Sequence, residues 1–252
     1  MNVAIVTGVS KGLGKSITTF LFESGISVYG ISRTEEKTLH EVARENNVIY
    51  KHFICDLGDF NQTNNLVQEL INNITRDEAT QLYVVNNAAV VHPIHQATQT
   101  KGKDIAYHYQ VNVISPMMIL NSLLQWSQIE EISLIGANIS SGAANRPIFG
   151  WSTYCSSKSS LNMYTKTVAL EQEELQTDNK IFAFNPGVMD TEMQEQIRKS
   201  DESQMKEIDA FKNYKRKNLL SDTEAVAGVL VDILTNEVDV KNGKIYDVRD
   251  YI

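Results

Sequence analysis

Asn2-Val3-Ala4-Ile5-Val6-Thr7-Gly8-Val9-Ser10-Lys11-Gly12-Leu13-Gly14 decides the fold. Residues 2–7 form a nearly continuous run of β-branched and aliphatic side chains, the pattern of a strand covered on both faces. Glycines follow at positions 8, 12 and 14, in the order Gly-x-x-x-Gly-x-Gly. A helical pattern then runs over residues 12–24. Glycines there let the chain turn sharply, approach an anion and seat the helix close to the sheet. The N–H groups around Ser10, Lys11, Gly12 and Leu13 open that helix and favour a pyrophosphate. A tight strand-to-helix turn with no ligand fits the same residues.

The same rhythm continues along the chain. Strands are expected at 2–7, 27–31, 49–54, 82–86, 132–139, 180–185 and 244–248. Helices are expected near 12–24, 35–46, 60–75, 104–127, 152–176 and 222–235. Alternation of this kind predicts an α/β fold: a single-domain, doubly wound (Rossmann) parallel sheet of seven strands with helices on both faces. Residues 190–220 break the rhythm with polar, charged sequence. They form either a cover over a ligand site or a solvated excursion.

At 252 residues the chain is long enough for one large core, and its net charge of -8 argues against nucleic-acid binding. No apolar run approaches the roughly 20 residues of a membrane span. The N-terminus reads as a first strand rather than a signal peptide. Cys55 and Cys155 are the only cysteines, which fits a reduced, cytoplasmic setting. The histidines His40, His52, His92, His95 and His108 show no metal-ligand spacing, so no metal is expected.

The ends of successive strands carry the ligand chemistry. After strand two come Ser32 and Arg33, where an NAD-selective site usually places an acid. With Lys11 they supply two cations and a hydroxyl, a set suited to a 2′-phosphate. NADPH/NADP+ is therefore the expected cofactor, although Glu35 and Glu36 weaken the field. Asp56 and Leu57 follow strand three, where the carboxylate suits an adenine amino group. Asn87 and Ala88 follow strand four and allow close backbone approach to a ribose. Later, Gly150-Trp-Ser-Thr-Tyr-Cys-Ser-Ser-Lys158 places Tyr154 and Lys158 one helical turn apart. An ammonium beside a phenol lowers the phenol's pKa. Alone, the pair also fits a half-buried tyrosine beside an unrelated lysine.

Taken together, the chain resembles the short-chain dehydrogenase/reductase family over essentially its whole length. The resemblance rests on Thr7-Gly8-x-x-x-Gly12-x-Gly14, Asn86-Asn87-Ala88-Ala89, Asn112, Ser141, Tyr154-x-x-x-Lys158, and Pro186-Gly187-Val188 with Thr191. Ala89 departs from the family's usual glycine. Within the family, Gly150-Trp151-x-x-Tyr154-Cys155 and the ending Asn242 to Val248 are similar to the sepiapterin reductase-like branch and the bacterial benzil reductases that form (S)-benzoin.

The resemblance implies hydride transfer to a ketone or α-diketone, with Tyr154 as proton donor, Lys158 lowering its pKa and Ser141 holding the carbonyl oxygen. Ser141 precedes Tyr154 by 13 positions, the family's spacing. Asn112 is expected to kink its helix and hold a water in a relay to Lys158. Pro186, Gly187, Val188 and Thr191 border the nicotinamide, and residues 188–220 become a substrate lid. Phe149 and Trp151, with Met193, Met205, Phe211 and Tyr214, are candidates for an aromatic pocket. Asp247 matches a carboxylate that grips substrate in sepiapterin reductases. A homodimer or homotetramer is expected. The alternatives are an NAD-dependent alcohol dehydrogenase of the same family and a non-catalytic dinucleotide-binding regulator.

Overall fold

The computed structural model describes residues 1–235 and 240–252, leaving out the side chain of Arg76. Seven parallel strands form one sheet in the order β3-β2-β1-β4-β5-β6-β7. They are β1 (Asn2–Thr7), β2 (Ser27–Ser32), β3 (Tyr50–Ile54), β4 (Gln81–Asn86), β5 (Leu134–Ile139), β6 (Lys180–Asn185) and β7 (Ile245–Asp247). The crossovers carry α1 (Gly12–Glu23), α2 (Thr38–Glu45), α3 (Phe60–Arg76), α4 (Gly102–Tyr109), α5 (Ser115–Ile129), α6 (Ser152–Glu174), α7 (Glu192–Arg198), α8 (Ile208–Arg216) and α9 (Thr223–Thr235).

Side chains on alternate faces of each strand explain the near-continuous apolar runs. On β1, Ala4 and Val6 enter a core shared with Leu13 and Ile17 of α1, Leu39 of α2 and Leu230 of α9. Val3 and Ile5 point the other way, into a core with Leu70 of α3, Leu123 of α5 and Val168 of α6. All four β1 side chains are fully buried. Each large aliphatic buried in this way contributes about 1.5–3 kcal/mol. Strand order turns back between β1 and β4, so the ends of β1, β2, β4 and β5 open a crevice on one edge of the sheet, the usual position for a ligand in this architecture.

One element differs from its expectation. Residues 104–127 do not form a single regular helix. A π-helical turn at Gln110–Ile114 joins α4 to α5. Its cause is a pair of long-range bonds: Asn112 Oδ1 accepts from the Val90 N–H, and Asn112 Nδ2 donates to the Val90 carbonyl, each at 2.8 Å. Pro116 at the start of α5 has no N–H to offer the Asn112 carbonyl four residues back. The kink expected at Asn112 thus takes the form of one wide turn.

The polar segment after β6 folds into α7 and α8. These pack on the α6 N-terminus through a third, smaller core containing Trp151, Ile197, Met205, Ile208 and Phe211.

Candidate active site

The glycine turn is held by a latch between β1 and β4. Thr7 Oγ1 accepts from the backbone N–H groups of Asn87 and Ala88, each at 2.9 Å. Asn87 Nδ2 returns a bond to the Thr7 carbonyl at 2.8 Å. The Asn87 side chain therefore braces the loop, and Ala88 lies against Gly8. Gly8 sits at φ +77°, a conformation open to glycine at little cost. A Cβ on Gly14 would lie 2.2 Å from the Gly8 carbonyl oxygen, so only glycine lets α1 start this close to the loop.

The start of α1 fits a dinucleotide's phosphates. Its N-cap position, Lys11, makes no side-chain capping bond, and no acidic residue lies in its first turn. By contrast, α3 is capped by Asp59, which accepts from the N–H groups of Asn61 and Gln62. The free N–H groups of α1 are thus left for an anion.

On the β2 and β3 side, Ser32 is buried and hydrogen-bonded to the Thr34 carbonyl at 2.7 Å and to His52 Nε2 at 2.8 Å. Arg33 is exposed. Glu35 pairs with His40 at 2.8 Å, and Glu36 accepts from the Thr38 hydroxyl at 2.6 Å, so neighbouring groups engage both carboxylates. Asp56 accepts from the Gly58 N–H at 2.9 Å and from the Tyr107 hydroxyl at 3.2 Å. Burial and Asp56 push the Tyr107 phenol up, and Arg33 opposes them. Leu57 is buried, its carbonyl accepting from Ser115 at 2.7 Å.

The segment after β6 reaches the same crevice. The Gly187 N–H, next to Pro186, donates to Asn185 Oδ1 at 3.2 Å. The Val188 carbonyl accepts from Ser221 N–H at 3.0 Å. Thr191 caps α7 through the Gln194 N–H, and its methyl lies 3.5 Å from where a Gly12 Cβ would sit. Glu192 forms an ion pair with Lys11 across that gap.

Four further residues converge beyond β5. Tyr154 is buried, its ring 4.9 Å from Trp151 and 6.0 Å from His108. Ser141, at the end of β5, faces the Tyr154 hydroxyl closely enough to favour its ionised form. Ser140 turns away and donates to Asn162 at 2.6 Å. Lys158 Nζ donates to the Ile139 carbonyl at 2.8 Å and lies 5.9 Å from the Tyr154 ring centre. Asn112 closes the group through His108, whose Nε2 is 2.9 Å from Asn112 Nδ2.

The expected pKa effect of Lys158 needs correction. Burial pushes Tyr154 up from 10.0 to about 12, with Ser141 opposing. Burial also pulls Lys158 down from 10.5 to about 8. Both groups lie out of water, and desolvation penalises each charged form more than their separation rewards the pair. The resting phenol is a loaded proton donor rather than a phenolate.

Two of the expected substrate contacts also need correction. Trp151 is only 4% exposed and packs on Tyr154 and on Phe211, at 5.5 Å. With Met205 and Phe211 it forms a small buried core under α7 and α8 instead of a pocket wall. Phe149 is half-buried, with Lys206 Nζ 4.9 Å above its ring. Asp247 is already engaged: Arg249 donates to it from N, Nε and Nη2 at 3.0, 2.8 and 2.6 Å, and Asn185 at 2.7 Å. Those four bonds match a carboxylate's accepting capacity. The Arg249 fork, with Asn185, holds the carboxyl down at about 2. This carboxylate ties β7 to β6.

Sequence reasoning passed over Thr7 as a latch, Tyr107 beside Asp56, and His108. The signal for His108 was present, since it lies one helical turn before Asn112.

A doubly wound sheet, an uncapped glycine turn and a buried Tyr-Lys pair beside Ser141 with an attendant Asn define a dinucleotide-dependent oxidoreductase. Residues 2–202 match the family described as short chain dehydrogenase, and the chain belongs to it. It is 32% identical to the benzil reductase ((S)-benzoin forming) of Bacillus subtilis (strain 168) over 252 residues, 100% of both chains. It is 33% identical to the benzil reductase ((S)-benzoin forming) of Bacillus cereus over 237 residues, 94% of this chain and 95% of that one. Among solved structures, a short chain dehydrogenase/reductase from Saccharomyces cerevisiae superposes with a TM-score of 0.84 at 26% identity, covering 100% of this chain and 97% of that one.

Proposed function

We propose that this oxidoreductase is an NADPH-dependent carbonyl reductase acting on ketones and α-diketones of the benzil or sepiapterin type. The observation that carries the reading is the buried Tyr154 hydroxyl facing Ser141, with Lys158 one turn along the same helix. A bound nicotinamide dinucleotide would supply the hydride. Ser141 then donates to the substrate carbonyl oxygen and stabilises charge as it develops there. Tyr154 hands its proton to the same oxygen, which becomes the hydroxyl of the product alcohol. Lys158 stands behind the phenol to restore that proton. Asn112 would hold a water on the path to Lys158, a role supported by the missing N–H of Pro116 four residues on.

The preference for NADPH rests on Arg33 and Lys11. Arg33 is exposed beside the crevice, and both neighbouring acids are engaged by other partners. Lys11 forms an exposed pair with Glu192, worth little in water and readily exchanged for a phosphate. Relatives named benzil reductase over the full length support a diketone substrate. No helix among the described residues is long and apolar enough to cross a membrane. A cytoplasmic enzyme is the proposed setting. Met163, Leu170 and Ile129 stand exposed on the outer faces of α5 and α6, which supports a homodimer or homotetramer paired along these helices.

The test follows NADPH absorbance with purified protein against benzil, 1-phenyl-1,2-propanedione, sepiapterin and simple aldehydes, each repeated with NADH. Diketone turnover with NADPH is expected; NADPH binding without turnover of any carbonyl would count against the reading. Arg33→Ala should weaken NADPH about tenfold or more and leave NADH unchanged, as expected for a lost charge-assisted bond. Equal losses for both cofactors would remove Arg33 from the phosphate site.

A further inference from the structure

His108 is a buried titratable group that the chemistry above does not use. It is fully buried, in the last turn of α4, and it touches both Asn112 and the catalytic tyrosine. Its protonation state follows from its neighbours. The Val90 N–H needs an acceptor and the Val90 carbonyl needs a donor, so Asn112 Oδ1 and Nδ2 are assigned without ambiguity. The second hydrogen on Asn112 Nδ2 then points at His108 Nε2, 2.9 Å away. Nε2 must accept. The proton must therefore sit on Nδ1, where the His92 carbonyl accepts it at 2.7 Å. Ser157 Oγ lies 3.0 Å from Nε2 and donates its own hydrogen to the Tyr154 carbonyl at 2.8 Å.

We propose that His108 is a positioning residue for this site: its bare Nε2 seats the Asn112 amide and the wide turn around it, and protonating Nε2 unseats them and halts proton delivery. In the imidazolium form, Nε2–H would face the Asn112 N–H across 2.9 Å, donor against donor. It would turn instead to Ser157 Oγ, which has a lone pair free. Asn112 would lose its third bond, leaving the π turn beside Lys158 held by the Val90 pair without the support of His108. The titratable groups facing His108 are Lys158 and Tyr154 of α6, His92 of the loop after β4, and Tyr109 of its own helix. Burial lowers the imidazole pKa from 6.5, the His92 carbonyl raises it and the Lys158 charge lowers it. The neutral form therefore holds through physiological pH and fails on acidification.

This inference rests on the catalytic reading of Tyr154, and two variants separate it from simple packing. His108→Gln can place an amide oxygen where Nε2 lies, and His108→Asn can place an amide nitrogen where Nδ1 lies. At pH near 7.5 the Gln variant should keep kcat, while the Asn variant should lose about tenfold in kcat with KM for NADPH unchanged. Wild-type kcat should fall on acidification below the ordinary imidazole range, and the Gln variant should lose that acid limb. Equal behaviour of the two variants, or a wild-type acid limb in the Gln variant, would overturn the proposal. Should neither variant fold, nitrogen NMR of wild type decides. The expected result is a neutral Nδ1–H tautomer, with Asn112 amide resonances that move as His108 titrates. The opposite tautomer, or Asn112 resonances that stay fixed, would overturn it. That readout needs no turnover, so it stands apart from failure of the carbonyl assay.

Discussion

Tyr154→Phe should lower kcat by about 10²–10⁴-fold, the usual worth of a positioned general acid, and leave NADPH binding intact. The ring has reason to stay where it is. It packs against Trp151 at 4.9 Å and edge-on to His108 at 6.0 Å, and phenylalanine keeps both contacts. Only the hydroxyl is lost, and with it the group that faces Ser141. Because burial holds the phenol at about 12, the wild-type donor remains protonated across the whole working range. Reduction should therefore show no alkaline loss attributable to Tyr154 below about pH 10. Cofactor titration by fluorescence, paired with steady-state rates, checks both halves. Near-normal turnover would remove Tyr154 from the chemistry. Lost NADPH binding with a folded protein would mean that the hydroxyl organises the crevice rather than donating a proton.

Local pattern made the sheet legible because its strands are covered on both faces. Val3 to Val6 leave no polar alternation to misread, and the glycines that follow are required by a close backbone approach. The glycine turn, Asn87 and the Tyr154–Lys158 spacing were equally local. What escaped depended on contacts between distant segments. The π turn at 110–114 exists because Asn112 reaches the Val90 peptide, 22 residues back. Asp247 was matched to a substrate carboxylate by resemblance alone, and Asn185, 62 residues earlier, carries no mark of its bond to it. The Tyr154–Lys158 effect was misjudged for a similar reason. Spacing gives the geometry of a pair, whereas the balance of charge and desolvation depends on everything packed around it. Trp151 and Phe211 likewise read as pocket walls, and only their packing against α7 and α8 shows them buried.

Lys158→Met should abolish the proton relay and also change how stability depends on pH. The ammonium is buried, and its fall from 10.5 to about 8 corresponds to roughly 3 kcal/mol. Between those two values the unfolded chain keeps a proton that the folded chain has released. Stability of wild type must then rise with pH across that window, and the contribution is flat below it. Methionine carries no such proton. It also leaves the Ile139 carbonyl without its 2.8 Å donor, which costs about 1–3 kcal/mol at every pH and so does not alter the slope. Urea unfolding of both proteins from about pH 7 to pH 10.5 isolates the effect, since every other titrating group is common to the two. Wild type should gain roughly 2–3 kcal/mol on the variant over that range. A constant difference would mean that water reaches the lysine in the cofactor-free protein, and Lys158 would then carry its charge at no cost to the fold.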